Sequence, residues 1–181
     1  MRRLDAGPAQ TGQAGAFETD LARLLIATPD GGDPLVDPTV TGLLGLIREH
    51  LGMDVVFVSE FLDGANVFRR VACEADTQAM QEGDRYPLAD SFCQRVVDGR
   101  LPRLVKDVAA LDPSGAMQRY KFNVGAYVGV PITLADGTLY GMLCCFGFAP
   151  NPALGPRELA RLEMAARLMA RLLDGMTLPS A

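Results

Sequence analysis

The sequence predicts an α+β domain, an antiparallel sheet with helices packed on one face. Three observations predict it. Residues 126–134 and 138–148 are two apolar, β-branched and aromatic runs separated by Asp136-Gly137, and Asp-Gly between such runs signals a hairpin because the turn's positive-φ positions suit Asp and Gly. A second pair of runs, 54–62 and 67–73, flanks Asp63-Gly64-Ala65-Asn66, a second turn signal. Helical periodicity appears at both ends of the chain, which gives the order α-α-β-β-α-β-(α)-β-β-α and hence an antiparallel α+β layer arrangement.

The elements follow in chain order. Residues 1–15 are rich in Gly, Ala and Gln and carry no period, so they read as a disordered tail ahead of one domain spanning 16–176. Phe17, Leu21, Leu24, Leu25 and Thr28 fall at helical spacing and predict a helix over 17–28, broken by Pro29-Asp-Gly-Gly-Asp-Pro34. Asp37-Pro38 reads as an N-cap followed by proline at the first helical position. Val40, Leu43, Leu44, Ile47 and Leu51 then form one apolar face, and Gly52 stops the helix. Residues 74–85 are polar and read as irregular. Ser91 and Gln94 have the spacing of a capping box ahead of a short helix with Phe92, Cys93, Val96 and Val97 on one face, closed by Asp98-Gly99. Residues 101–106 read as a short strand, and 107–122 as helical fragments broken at Asp112-Pro113 and Ser114-Gly115. Pro131 cannot donate to a ladder, so its strand has an edge there or ends its pairing there.

The last helix, 157–176 after Gly155-Pro156, carries Leu159, Leu162, Ala166, Met169, Leu173 and Met176 at a/d spacing, with Met164, Leu168 and Leu172 beside that stripe. A helix apolar on more than one side wants two partners. Its own sheet is one. A second copy of the chain is the other, so a homodimer through the terminal helices is expected.

Composition excludes several functions. The chain has 181 residues, 49% hydrophobic, with a formal net charge of −5. No basic run exceeds two residues, which argues against nucleic acid, since phosphate binding needs a concentrated positive face. No apolar run approaches the ~18 residues of a membrane span, and the N-terminus shows no apolar leader, so a cytoplasmic protein is expected. The four cysteines, 73, 93, 144 and 145, form no C-x-x-C, and the only histidine is His50. No metal site is therefore expected. Cys144 and Cys145, adjacent on a strand, point to opposite faces and read as small buried hydrophobes. No nucleophile–base pair is legible, so no catalytic residue is assigned.

Several segments together resemble the GAF domain family. They are the strand leading to Asp63-Gly64, and the stretch 87–108, in which Gly99, Pro102 and Asp107 hold the places of a "G-x-P-x-x-x-x-D" pattern. The third is the hairpin Gly125-Ala-Tyr-Val-Gly-Val-Pro131 with Asp136-Gly137 and Tyr140-Gly141-Met-Leu. The resemblance spans about residues 36–175. It implies a five- or six-stranded antiparallel sheet with a cavity on one face beneath a lid, related to the PAS architecture. It also implies a sensory or regulatory role with an unidentified small-molecule ligand, acting through partner proteins; no cofactor is expected, because the single His50 is misplaced for bilin or haem. Carried over residue by residue, the ligand site comprises Phe57 and Ser59 on the first strand, and Phe92 and Cys93 on the cap helix. Asp107, Met117 and Tyr120 come from the lid, Tyr127 and Cys144 from the hairpin. Asp107 has a second reading as an N-cap.

Two alternatives stand beside this reading. One is a GAF-type redox enzyme resembling the free methionine-(R)-sulfoxide reductases, with Cys93 as nucleophile; the lid 107–124 contains no second cysteine to resolve it, so a structural Cys93 is the expectation. The other is a ligand-free dimerisation module. Bilin attachment and histidine-ligated haem both lack a histidine in the right place.

Overall fold

The computed structural model describes residues 12–26, 38–74, 77, 79–118 and 120–177. The expectations for residues 1–11, for Thr28, for the break at 29–34 and for Asp37 lie outside them, as do the side chains of Leu24, Leu25 and Met176. The order is α1 (Gly12–Ile26), α2 (Pro38–Leu51), β1 (Val55–Leu62), β2 (Ala65–Cys73), β3 (Arg85–Pro87), α3 (Phe92–Val97), β4 (Leu104–Val105), α4 (Val108–Leu111), β5 (Ala126–Thr133), β6 (Leu139–Gly147) and α5 (Pro156–Thr177). The sheet is six-stranded, β3-β2-β1-β6-β5-β4, with every pairing antiparallel.

Both faces of the sheet are covered, which is why its central strands read as continuous apolar runs. Val56 and Val58 of β1, Val128, Val130 and Ile132 of β5, and Leu143 and Cys145 of β6 face α1, α2 and α5. Their alternate neighbours Val55, Phe57, Tyr127, Met142, Cys144 and Phe146 face α3 and the segment 108–124. The strand period of two thus sends Cys144 and Cys145 into different cores, as expected. A bulge lets Val58 pair with Arg70 and Ser59 with Phe68. The skipped Arg69 allows Phe68 and Val71, three residues apart, to pack on the same face.

Several boundaries differ from expectation. α1 begins at Gly12, inside the stretch read as aperiodic. Residue 85, read as irregular, opens β3, whose three residues pair with Ala65–Val67; so short a strand carries no periodicity to read. Pairing at 101–106 narrows to Leu104–Val105. The turn with two positive φ values is Asp63-Gly64 (51° and 72°), joining β1 to β2 with two residues. At Asp136-Gly137 only Gly137 is positive (86°). There Gly137 N–H donates to Leu134 O and Leu134 N–H to Thr138 O, a type I turn closed by a glycine bulge. Ser91 accepts from Gln94 N–H at 3.0 Å, but the Gln94 amide turns away to Asp98, so only half a capping box forms. Pro131 lies past the end of β4, and among the described residues no strand pairs with it on that edge.

α1 and α2 pack beside α5 within the chain, while Met164 and Leu172 stay partly buried. Phe17 of α1 is fully buried, with Arg161 of α5 5.4 Å above its ring and His50 of α2 edge-on at 5.3 Å. α1, α2 and α5 form one layer on the sheet.

Candidate functional site

The face opposite the helices holds a small chamber between the sheet and a lid, and the sheet supplies its floor. Phe57 of β1 and Phe146 of β6 lie 6.3 Å apart, and Tyr127 of β5 reaches in beside them. The space for the Tyr127 ring comes from Gly129, two residues on and on the same strand face: an ideal Cβ there would sit 2.3 Å from the Tyr127 hydroxyl. The spacing Tyr-x-Gly is therefore a packing device that lays an aromatic ring along the strand.

α3 supplies the cap. Ser91 opens it and Gly99, at φ 73°, ends it, with its N–H on Val96 O at 3.1 Å. The short helix delivers Phe92 and Cys93 inward, 2% and 1% exposed. The lid contributes Tyr120 and Phe122. These two rings stack at 5.1 Å, and Phe122 stacks on Phe146 at 5.1 Å with planes 6° apart. Tyr120 also lies 6.0 Å from the Phe92 ring, and its hydroxyl accepts from Phe92 N–H. So closed, the chamber keeps a cavity of about 10 Å³, room for about one water.

Beneath the aromatic layer is a polar cluster. The Cys93 and Cys144 sulfurs are 3.7 Å apart; the Tyr127 hydroxyl is 3.0 Å from Cys144 and 3.8 Å from Cys93. Asn66 Nδ2 donates to Cys93 Sγ at 3.3 Å. The hydrogen bond from Cys144 is the main influence holding the Cys93 thiol below its ordinary range; Tyr127, Asn66 and Ser59 add to it against the opposing cost of burial. Burial pushes Cys144 well above its range. Burial likewise keeps the Tyr127 and Tyr120 hydroxyls protonated. Among the described residues the buried Asn66 Oδ1 has no hydrogen-bond partner, and Ser59 Oγ has none but the Cys93 sulfur. Unpaired buried polar atoms are costly and rare.

Of the residues nominated from sequence, Phe57, Phe92, Cys93, Tyr120 and Tyr127 line the cavity. Ser59 and Cys144 lie against the Cys93 sulfur, and Met117 packs half-buried against the same cluster. Asp107 is not brought in: its carboxylate accepts from Ala110 N–H at 3.1 Å and caps α4. Sequence reasoning missed Phe122, Phe146, Met80 and Val124 on the wall, and Asn66 against the Cys93 sulfur. Phe122 and Phe146 were findable, each two residues from a nominated residue. Asn66 was hidden because it reads as a turn residue.

A larger open groove of about 490 Å³ runs between the end of α2 and the start of α5. Its polar groups serve the junction itself: Asp54 accepts from Phe148 N–H at 2.7 Å, and Asn151 donates to Leu51 O at 3.3 Å. His50 is far from the chamber, packed on Phe17. Among the described residues no group of three metal-ligating side chains occurs, and no helix is long and apolar enough to cross a membrane.

A family model described as GAF domain matches residues 36–173. The chain belongs to the GAF family. GAF domains are in general sensory and regulatory modules, and the sheet with helices on one face and a lid on the other is the GAF arrangement. The solved structures similar to this GAF domain include the GAF domain of an Acinetobacter phosphoenolpyruvate-protein phosphotransferase, with a TM-score of 0.71 at 7% identity, over 95% of this chain and 99% of that one. The free methionine-R-sulfoxide reductase of Neisseria meningitidis, solved with its substrate, superposes with a TM-score of 0.67 at 15% identity, over 98% and 100% of the two chains. The chromophore-binding domain of Stigmatella aurantiaca phytochrome P1 gives 0.66 at 15% identity, over 93% and 63%. At these identities the likeness is one of fold. A cyclic di-GMP phosphodiesterase of Pseudomonas aeruginosa is 37% identical over 90 residues, 48% of this chain but only 15% of the length of that relative.

Proposed function

We infer that this GAF domain is a sensory or regulatory module whose input is a small, flat, largely apolar molecule carrying a hydrogen-bond donor. The observation behind this reading is the chamber itself: aromatic walls closed by the stacked rings of Tyr120 and Phe122, with the polar cluster around the Cys93 sulfur behind them, in which Asn66 Oδ1 is a buried acceptor without a partner among the described residues. A ring entering between Phe146 and Phe92 would replace the lid aromatics in the stack, and a donor reaching past Cys93 would satisfy Asn66 Oδ1. The cavity of about 10 Å³ makes displacement of the lid a condition of binding. Output runs through the α1–α2–α5 layer to a partner protein or a second copy of the chain. The relative's name supports placing that partner in cyclic di-nucleotide signalling.

The test is a thermal-shift screen of aromatic acids, aromatic amines, amino acids and cyclic nucleotides, followed by calorimetry. A compound at about 100 times its Kd stabilises the folded chain by about 2.7 kcal/mol, and the shift should disappear in Ser59→Ala/Asn66→Leu. A shift retained in that double variant, or none across the screen, overturns the reading. A second reading has its own observation, the Cys144 thiol 3.7 Å from Cys93, which supplies the second cysteine absent from the lid. It requires turnover of free methionine-(R)-sulfoxide that is lost in Cys93→Ser.

A further inference from the structure

Two of the four cysteines meet in the lid-side core, and their surroundings differ from those of the other two. The sulfurs of Cys93 and Cys144 are 3.7 Å apart, one on α3 and one on β6, 51 residues away in sequence. Two donors converge on the Cys93 sulfur, the Tyr127 hydroxyl at 3.8 Å and the Asn66 amide at 3.3 Å, and the Cys144 thiol shares a hydrogen bond with it. Cys145 lies on the opposite face of the sheet among aliphatic side chains, and Cys73 ends β2 with its sulfur 3.8 Å from Thr77 O. A convergence of donors on one sulfur is what a thiolate requires, and a second thiol in contact is what a disulfide requires.

We propose that Cys93 and Cys144 are a peroxide-sensitive thiol pair that closes to an intramolecular disulfide joining α3 to β6. In the first step the Cys93 sulfur attacks one oxygen of hydrogen peroxide. The S–O bond forms, the O–O bond breaks, and the other oxygen leaves as water with the thiol proton. In the second step the Cys144 sulfur attacks the Cys93 sulfenic sulfur. The S–S bond forms, the S–O bond breaks, and the hydroxyl leaves as water with the Cys144 proton. Two thiols lose two electrons and the peroxide gains two. The Tyr127 hydroxyl, within reach of both sulfurs, is placed to donate to the departing oxygen. The sulfurs must close from 3.7 Å to about 2.05 Å. Cys93 lines the cavity beneath Tyr120 and Phe122, so peroxide enters by the lid. Cys93 alone of the pair lines that cavity, which makes it the first sulfur oxidised.

The proposal stands apart from the ligand reading, because it is tested on the folded chain with no ligand present. The full chain is treated with hydrogen peroxide, unreacted thiols are alkylated, and peptides are mapped by mass spectrometry without reduction. A Cys93–Cys144 crosslink is expected, reversed by dithiothreitol, with Cys93 losing its alkylatable thiol at least about tenfold faster than Cys145. Cys144→Ala is expected to leave Cys93 as a sulfenic acid trapped by dimedone, while Cys145→Ala still forms the crosslink. Four results would each overturn the proposal: both thiols intact after peroxide, a crosslink through Cys73 or Cys145 instead, Cys93 carried on to sulfinic acid with Cys144 untouched, or equal rates at Cys93 and Cys145. The wild-type map decides the matter even if a variant fails to fold.

Discussion

The ring of Tyr127 occupies the space a side chain at residue 129 would fill, and this single substitution of volume organises the floor of the chamber. Gly129→Ala would put a Cβ 2.3 Å from the Tyr127 hydroxyl and 2.7 Å from its ring carbon. The ring is 2% exposed and hemmed by Phe92 at 5.3 Å, so it has little room to yield. The expected cost is about 1–3 kcal/mol of stability, read by urea unfolding, together with faster alkylation of Cys93 as the Tyr127 hydroxyl leaves it. Gly141→Ala should cost at least as much, since its Cβ would lie 2.0 Å from the Ser59 carbonyl, a backbone atom. Gly45→Ala in α2 meets nothing within 4 Å and should stabilise by about 0.5–1 kcal/mol. The Tyr-x-Gly spacing was visible in the sequence, but only as part of a pattern; that the glycine exists to admit the ring needs the strand face in view. The Cys93–Cys144 contact was invisible for a related reason. Each residue reads locally as a small buried hydrophobe, and only strand register and helix placement bring them together.

At the scale of the element, the lid is the part built least from regular structure. Side chains bracket it. Asp112 accepts from Met117 N–H at 2.7 Å and from Ser114 Oγ at 2.7 Å. Gln118 imitates a strand partner for Val124, donating to its carbonyl at 2.8 Å and accepting from its N–H at 3.1 Å. The loop carrying Tyr120 and Phe122 is thereby held closed. The backbone N–H of Met117, with Ser114, holds the Asp112 carboxyl below its ordinary value. A carboxyl depressed on folding stabilises the folded state above its unfolded pKa, and that contribution disappears as pH falls through the lower, folded value. The lid should therefore loosen below about pH 4, seen as increased acrylamide quenching of tyrosine fluorescence. Asp112→Asn should show the looser lid already at pH 7 and a smaller step on acidification; Asp98 and Asp136, also depressed, retain their own acid responses elsewhere. An unchanged step would place the acid response outside the lid. The sequence marked Asp112-Pro113 and Ser114-Gly115 as breaks because turn chemistry is local. The Gln118–Val124 bracket carried no signal, since a glutamine in a polar stretch looks like any solvated residue.

The whole molecule is one sheet shared by two cores of unequal construction. The strands were legible from hydrophobic runs, and so was the helical layer from its periodicity. The six-stranded order was not legible from residues alone, because β3 and β4 have three and two residues and show no pattern of their own. On the helix side, α2 and α5 of 14 and 22 residues lie along the sheet, joined by α1 through the fully buried Phe17. On the lid side, α3 and α4 have six and four residues, preceded by a single 3-10 turn at Leu88–Asp90, and much of the remainder is loop. Long helices lose their hydrogen bonds only with their core, whereas short elements and loops can open while the sheet persists. The lid side should therefore open as a separate unit at lower free energy than global unfolding. Native-state hydrogen exchange at rising urea would show it: amides of 92–97 and 108–124 should exchange through an opening nearly insensitive to urea, and those of β1, β6 and α5 only with global unfolding. Phe17→Ala should lower the global value by about 3–5 kcal/mol and leave the lid opening in place. Phe122→Ala, which removes the ring stacked on Phe146, should lower mainly the lid opening. If both variants shift every amide equally, the two cores unfold as one and the lid cannot serve as the moving part that ligand entry and peroxide access both require.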